Sequence, residues 1–166
     1  MRRPPLVGLA LAVATLVLLA GAESAEAGRR LPPKRSQALI RWLEARHYQA
    51  EGWVPEPTIR PSVPAHGLNV RTWLSPRAVE DLASGAPAFR KGTAFVKELY
   101  FAGTDEVIGW SVMRKLRKKS GRTGRGWFFF ETFDGRARGA IRGRGKPVCV
   151  SCHAAGQDYL LSPFRP

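Results

Sequence analysis

Apolar and aromatic residues are concentrated in four stretches of the chain, at residues 66–74 (HGLNVRTWL), 93–101 (TAFVKELYF), 107–116 and 127–133 (WFFFETF). Short stretches that alternate apolar and polar residues, or that are rich in β-branched and aromatic residues, predict β-strands. The connections between them are short, which favours antiparallel pairing. The Asp-Gly pair that follows the fourth stretch is typical of a turn.

Two other stretches predict helices. Residues 36–48 begin with a potential capping serine and repeat apolar positions at helical spacing. Ser75 followed by Pro76 marks a second helix start, because serine caps helices and proline fits the first helical position; this helix should end near residues 84–85. Four prolines between residues 52 and 64 exclude a long helix or a central strand there. The pattern predicts a single α+β domain, a predominantly antiparallel β-sheet with flanking helices.

The N-terminus is typical of an export signal. Arg2 and Arg3 precede an apolar run over residues 6–20, which is shorter than a membrane span and has the length of a signal-peptide core. Small residues follow, and we expect cleavage after Ala27, so that residues 1–27 are a signal peptide. The alternative is an uncleaved N-terminal anchor. Both predict an exported, periplasmic domain.

The chain as a whole is strongly basic. The sequence has 27 Lys and Arg against 13 Asp and Glu, a net charge of +14. Residues 28–35 have the composition of a basic, proline-containing linker, and residues 36–166 form the predicted domain. Residues 114–125 include many basic residues and no acid, which is typical of either a solvated loop or a docking surface. Nucleic acid is the usual partner of such a run, but export disfavours it. An acidic redox partner protein or an anionic membrane surface agrees better with export.

Both cysteines lie in one pentapeptide, Cys149-Val-Ser-Cys152-His153. C-x-x-C-H is the attachment motif of c-type haem: the two thiols form thioethers with the porphyrin, and the histidine is an axial ligand of the iron. A thioredoxin-type disulfide is an alternative, but that motif belongs early in a βαβ unit. Half a zinc site is another, but it needs a second cysteine pair. The sequence therefore favours haem c as the cofactor.

A sixth iron ligand is not evident. Met113 and His66 are the conventional candidates. In its strand, Trp110 and Val112 belong to the more apolar face, and Met113 belongs to the other face. We therefore expect Met113 to point away from the interior. His66 is followed by glycine at a strand start, where an exposed loop histidine is the simpler interpretation. An iron without a sixth protein ligand would be open to a small molecule.

Lys97 lies in an unusual place. Strand alternation puts it on the same face as Phe95, Leu99 and Phe101. Burial would lower the pKa of its amine, and a neutral amine is a nucleophile. The alternative, which is the more common behaviour of a strand lysine, is one that extends its amine past the edge of the sheet into water.

Together these features resemble the cytochrome P-460 family, which includes the cytochromes c′-β. The resemblance covers residues 31–166. It depends on FRKGTAFVKELY at residues 89–100, on an aromatic strand, and on the CVSCH motif followed by Asp158-Tyr159. It implies a predominantly β fold, a homodimer, and a five-coordinate haem c with His153 as axial ligand. In members that oxidise hydroxylamine, a strand lysine is crosslinked to the porphyrin. Lys97 matches that lysine, so the resemblance favours an inward-pointing Lys97.

The resemblance implies an enzyme that oxidises hydroxylamine or nitric oxide. Such members also have a carboxylate near the iron, for which Glu131 and Asp158 are the candidates here. One alternative is a c′-β-like protein that binds nitric oxide without turnover. Its apolar wall would come from Phe95, Phe101, Phe128 or Phe130. A plain electron-transfer cytochrome, which needs a sixth ligand, is the other alternative.

Overall fold

The computed structural model describes residues 31–62, 66 and 69–166. The predicted signal peptide and the start of the predicted linker lie outside the described residues. Residues 31–166 form one compact unit. Its elements, in chain order, are α1 (Ser36–Glu44), α2 (His47–Ala50), β1 (Val54–Pro55), β2 (Arg60–Pro61), β3 (Asn69–Leu74), α3 (Pro76–Ala83), β4 (Ala94–Tyr100), β5 (Val107–Lys115), β6 (Trp127–Thr132), β7 (Ile141–Arg144) and α4 (Pro147–His153).

All seven strands belong to one antiparallel sheet. Its order is β1-β3-β4-β5-β6-β7, and β2 pairs with the same β3 that pairs with β1. This confirms the predicted α+β fold with a mostly antiparallel sheet. Strands β4, β5 and β6 match their predicted ranges to within one residue at each end. The sequence pattern missed β7 (IRGR), which is polar and contains glycine.

Packed elements cover both faces of the sheet. One face, which we call the α1 face, carries Val96, Val112 and Phe130 and packs against Leu39 and Leu43 of α1. The opposite face, which we call the cavity face, carries a second apolar cluster, built from Leu74, Ala78, Phe89, Phe95, Met113, Trp127, Phe129, Tyr159 and Leu160. A strand buried on both sides needs no polar face. This explains why every residue of β6 is buried.

The first predicted helix is broken in two. Arg46 has the left-handed backbone conformation (φ 50°), and it separates α1 from α2. Ser36 is the first residue of α1 and Arg35 is the N-cap, so the predicted serine cap is wrong. The cap of α3 is confirmed: the Ser75 hydroxyl accepts from the backbone N–H of Ala78 (3.3 Å).

The first described residues pack against the domain. Pro32 is buried, and its carbonyl oxygen accepts a hydrogen bond from the Arg114 guanidinium (2.7 Å). Among the described residues, no helix is long and apolar enough to cross a bilayer.

Candidate functional site

A row of polar side chains crosses the cavity face. The strand register places Lys97 opposite Thr72 on one side and Ser111 on the other, and Ser111 lies opposite Glu131. These four residues, which we call the polar row, come from four adjacent strands. The next row contains Phe95, Met113 and Phe129 and is apolar, and all three pack in the cluster on the cavity face. The polar row is therefore an isolated hydrophilic strip in an apolar surface.

The C-x-x-C-H motif lies on α4, opposite this row. Proline starts the helix at its first position, where its missing N–H costs nothing. Cys149 and Cys152 are three residues apart, so the helix puts both thiols on one face. Cys149 is half-buried, Cys152 is exposed, and the two are not joined in a disulfide.

A cavity of about 750 Å³ lies between the polar row and α4. This volume falls in the range of cofactor pockets. Lys97, Ser111 and Glu131 line it on the sheet side, and the two cysteines and His153 line it on the helix side.

The rim of the cavity is apolar. Four large apolar side chains of the described residues are exposed, and three of them, Phe133, Val148 and Leu161, line this cavity. Exposed apolar residues clustered at one cleft are typical of a binding site. A large, flat, largely apolar ligand would cover them.

The imidazole of His153 is fixed by one hydrogen bond. Its Nδ1–H donates to the carbonyl oxygen of Tyr159 (2.8 Å), which leaves Nε2 free. Burial lowers the pKa of His153 and favours the neutral imidazole. A neutral imidazole whose other nitrogen is held by a carbonyl has the usual arrangement of a metal ligand.

Asp158 anchors the turn that carries the Tyr159 carbonyl. Asp158 and Tyr159 both have positive φ angles (45° and 76°) and form a tight turn after α4. The Asp158 carboxylate pairs with Lys115 and accepts from Ser120 and from the backbone N–H of Phe89. Asp158 does not line the cavity. Of the two candidate carboxylates, Glu131 lines the cavity, whereas Asp158 anchors the turn.

Lys97 points into the cavity, as the family resemblance implied. Burial and, to a smaller extent, the positive charge of Arg60 lower its pKa to about 8, against the opposite effect of Glu56 and Glu131. The amine is therefore neutral more often than an ordinary lysine near neutral pH.

The sequence pattern did not identify Arg60. Its guanidinium lines the cavity and donates to Oε1 of the buried Glu56 from Nε (3.2 Å) and from a terminal nitrogen (3.1 Å). Glu56 also accepts from the backbone N–H of Thr72 (2.8 Å). Arg60 is thus a fixed cation at the cavity edge. It lies in the proline-rich segment, where periodicity carries no information about neighbours.

His66 is buried, so the expectation of an exposed loop histidine is wrong. Its side chain is 9% exposed, and its Nδ1 is hydrogen-bonded to the Glu131 carboxylate. The His66 and His153 rings face the same cavity with their centroids 6.3 Å apart. Glu131 is equally buried.

Met113 and the predicted aromatic wall also need correction. Met113 is 5% exposed and packs on the cavity face, because both faces of the sheet are covered. Phe95 shares that face, but Phe128 packs on the α1 face and Phe101 is 55% exposed. The aromatic ring nearest His153 in the described part of the chain is Phe129, at a centroid distance of 5.8 Å.

The geometry disfavours the two alternative uses of the cysteines. Burial and the nearby Glu131 charge raise the pKa of Cys149 to about 11, whereas a thioredoxin-type nucleophile needs a lowered pKa. Across residues 31–62, 66 and 69–166, no three His, Cys, Asp or Glu side chains are grouped to hold a bare metal ion. The residues present fit a covalently attached haem: two thiols on one helix face, a neutral imidazole, and a cavity with an apolar rim.

A second cavity, of about 600 Å³, is basic. Its charged lining residues are Lys34, Arg77, Lys91, Arg114, Lys115, Arg117 and Arg144, and no carboxylate lines it. Only three of them belong to the basic run predicted at residues 114–125. The fold adds cations from the start of the domain, from α3, from the loop before β4 and from β7. We call this cavity the basic groove.

Comparisons of the chain with protein-family models, with curated proteins and with solved structures found no match. The resemblance to the cytochrome P-460 family therefore stays a prediction, drawn from the residues quoted above.

Proposed function

We propose that this chain is an exported mono-haem c-type cytochrome that oxidises hydroxylamine or nitric oxide at its iron. The observation that carries the proposal is the convergence of five groups on one cavity. Cys149, Cys152 and His153 line one wall, and Lys97 and Glu131 line the other.

The chain's own residues have separate parts in this function. Cys149 and Cys152 hold the haem by thioether bonds, and His153 is its axial ligand. The haem supplies an iron that binds small nitrogen compounds and passes on electrons. Lys97 lines the wall opposite the motif residues, which agrees with the lysine position that the family resemblance implies.

Oxidation of hydroxylamine releases protons as well as electrons. Glu131 is the carboxylate in this cavity best placed to take a proton, because Asp158 is committed to the ion pair with Lys115. A carboxylate on the cavity wall suits proton removal from a small substrate.

The electrons need an acceptor. The basic groove is suited to an acidic redox partner protein, since its cations act together on an approaching negative surface. Anionic lipid headgroups are the alternative partner of the groove. Nucleic acid is disfavoured by the proposed export to the periplasm. The homodimer that the resemblance implies is also part of the proposal.

A second candidate is a c′-β-like protein that traps nitric oxide without turnover. The specific observation in its favour is the apolar row beside His153, with Phe129 and Met113 on the cavity face. An apolar wall favours uncharged diatomic ligands. A plain electron-transfer cytochrome is the third candidate, and it needs a protein ligand on the sixth coordination site.

One preparation separates these candidates. The full chain is expressed with its own N-terminus in a host that matures c-type cytochromes, and its intact mass is measured. We expect the mass of one covalently bound haem, and none in the Cys149→Ala/Cys152→Ala variant. Protein recovered without covalent haem would overturn the proposal.

Spectra and peptide maps then identify the reaction. A reduced Soret band far to the red of ordinary haem c, together with loss of the free Lys97 peptide, supports hydroxylamine oxidation. An ordinary c-type spectrum that shifts with nitric oxide, with Lys97 recovered unmodified, supports the binding protein. Turnover with hydroxylamine and an artificial acceptor, in wild type and in Lys97→Arg, measures the activity directly.

A further inference from the structure

Two histidines of the described chain share one arrangement. His153 has its Nδ1 held by the carbonyl oxygen of Tyr159, and His66 has its Nδ1 held by the carboxylate of Glu131. In both rings Nε2 is the nitrogen left to bind something else. Metal-bound histidines usually have their second nitrogen held by a carbonyl or carboxylate in this way.

The separation of the two rings matches a shared metal. Their centroids are 6.3 Å apart, and the ring planes make an angle of 77°. A metal–imidazole bond is about 2.0–2.1 Å, so two imidazoles on opposite sides of one ion have centroids about 6 Å apart. Both rings line the same cavity, which the motif cysteines also line.

The burial of His66 supports a role inside the cavity. Its side chain and that of Glu131 are each 9% exposed, although histidine next to a strand start is more often exposed. Burying a carboxylate and an imidazole together is costly unless their hydrogen bonds are satisfied. Both side chains of the pair line the cavity that the motif cysteines and His153 also line.

We propose that His66, oriented by Glu131, is the second axial ligand of the haem in the resting protein. The proposal rests on the haem attachment proposed above and refines it, because the iron is then closed until His66 leaves. Hydroxylamine or nitric oxide has to displace an imidazole before it binds. Glu131 is the positioning residue. Its carboxylate accepts a hydrogen bond from Nδ1–H of His66, which makes Nε2 of His66 a stronger ligand for iron.

The wild-type haem protein tests this directly, without any variant. We expect the oxidised protein to be low-spin and six-coordinate, and its electron paramagnetic resonance signal to be of the highly anisotropic type given by nearly perpendicular axial imidazoles. A high-spin, five-coordinate spectrum would overturn the proposal and leave the open-iron function intact. Protein without covalent haem would overturn both, and the intact mass distinguishes that case.

Variants then assign the ligand. His66→Ala should be high-spin, and added imidazole should return it to low-spin. His47→Ala is the matched control, because His47 lies on α2, away from the cavity, and it should keep the wild-type spectrum. Glu131→Gln should stay low-spin but shift the midpoint potential. A low-spin His66→Ala protein without added imidazole would contradict the assignment. Nitric oxide should bind His66→Ala at least tenfold faster than wild type.

Discussion

The Nδ1 atom of His153 lies 2.8 Å from the carbonyl oxygen of Tyr159. That carbonyl follows Asp158, whose carboxylate is anchored by Lys115 from the end of β5. A buried ion pair on the sheet thus fixes the direction of the proposed iron ligand on the helix. The orientation of His153 depends on residues that never touch the cavity.

Breaking this ion pair should weaken both the fold and the site. Lys115 has a fully buried side chain, and burial lowers its pKa against the stabilising effect of Asp158. We expect Asp158→Asn to reduce the free energy of unfolding by about 3–5 kcal/mol, because it leaves a buried charge without its partner. Urea unfolding measures this. The haem protein should also show a shifted midpoint potential.

The double variant Lys115→Met/Asp158→Asn provides the check. It should recover part of the loss, since neither buried charge remains. Glu80→Gln removes the exposed Arg90–Glu80 pair, and its effect should stay below about 1 kcal/mol. Equal effects of Asp158→Asn and Glu80→Gln would show that the buried pair anchors nothing.

Glu98 is the central hydrogen-bond acceptor on the α1 face. Its carboxylate is 1% exposed and accepts from Tyr48 (2.6 Å), Gln49 (2.9 Å), Trp73 (2.8 Å) and Tyr100 (2.5 Å). Burial, together with the carboxylate, raises the pKa of both tyrosines. We expect Glu98→Ala to cost about 3–5 kcal/mol, because it leaves several buried donors unsatisfied.

Thermal and urea unfolding measure this loss. Glu98→Gln should cost less, since an amide oxygen still accepts from some of the donors. The exposed Glu106→Gln is the control and should change stability by less than about 0.5 kcal/mol. A Glu98→Ala protein as stable as this control would contradict the prediction.

The Lys97 amine should react at an unusually low pH wherever it is still free. Its pKa is lowered to about 8, so the neutral, reactive amine increases as pH rises through that value. We expect amine labelling of Lys97, followed by mass spectrometry in the uncrosslinked fraction, to have its midpoint at about pH 8. Lys118, which is exposed, serves as the control for reagent access.

Arg60 contributes to this low pKa through its positive charge. Arg60→Gln should therefore move the labelling midpoint of Lys97 to higher pH. A wild-type midpoint near the ordinary lysine value of about 10.4 would show that the amine reaches water.

The basic groove should dominate binding to anionic partners. Lys34, Lys91 and Arg117 are exposed cations that line it, and reversing all three to Glu should weaken binding to poly-glutamate by about tenfold at low salt. The control replaces Arg41, Arg136 and Arg138 with Glu. These exposed residues lie outside the groove, and their replacement changes the net charge equally. Equal losses in both triple variants would mean that only net charge matters. Phosphatidylserine vesicles as a second probe would distinguish a membrane from an acidic protein.

The sequence pattern was most successful where local rules decide the structure. Alternation placed Phe95 and Lys97 together, and the Ser75-Pro76 pair marked the start of α3. It failed for Met113, because the argument assumed one apolar face and the sheet is covered on both. The break at Arg46 depends on a backbone conformation that helical spacing does not report.

The site residues divide in the same way. Cys149, Cys152 and His153 are adjacent in sequence, and their motif identified them. His66 and Glu131 are 65 residues apart, and only folding brings them together. Asp158 became a candidate because it follows the motif in sequence, whereas its partner in space is Lys115.

The polar row also limits where the domain can accept inserted or deleted residues. Lys97, Ser111 and Glu131 are neighbours only because three strands pair in one register. An added residue in the exposed loop at 101–106 leaves that alignment unchanged. The same addition inside β5 turns the residues on one side of it to the opposite face. Natural insertions and deletions in related sequences should therefore occur in the loops and avoid the strands of the row.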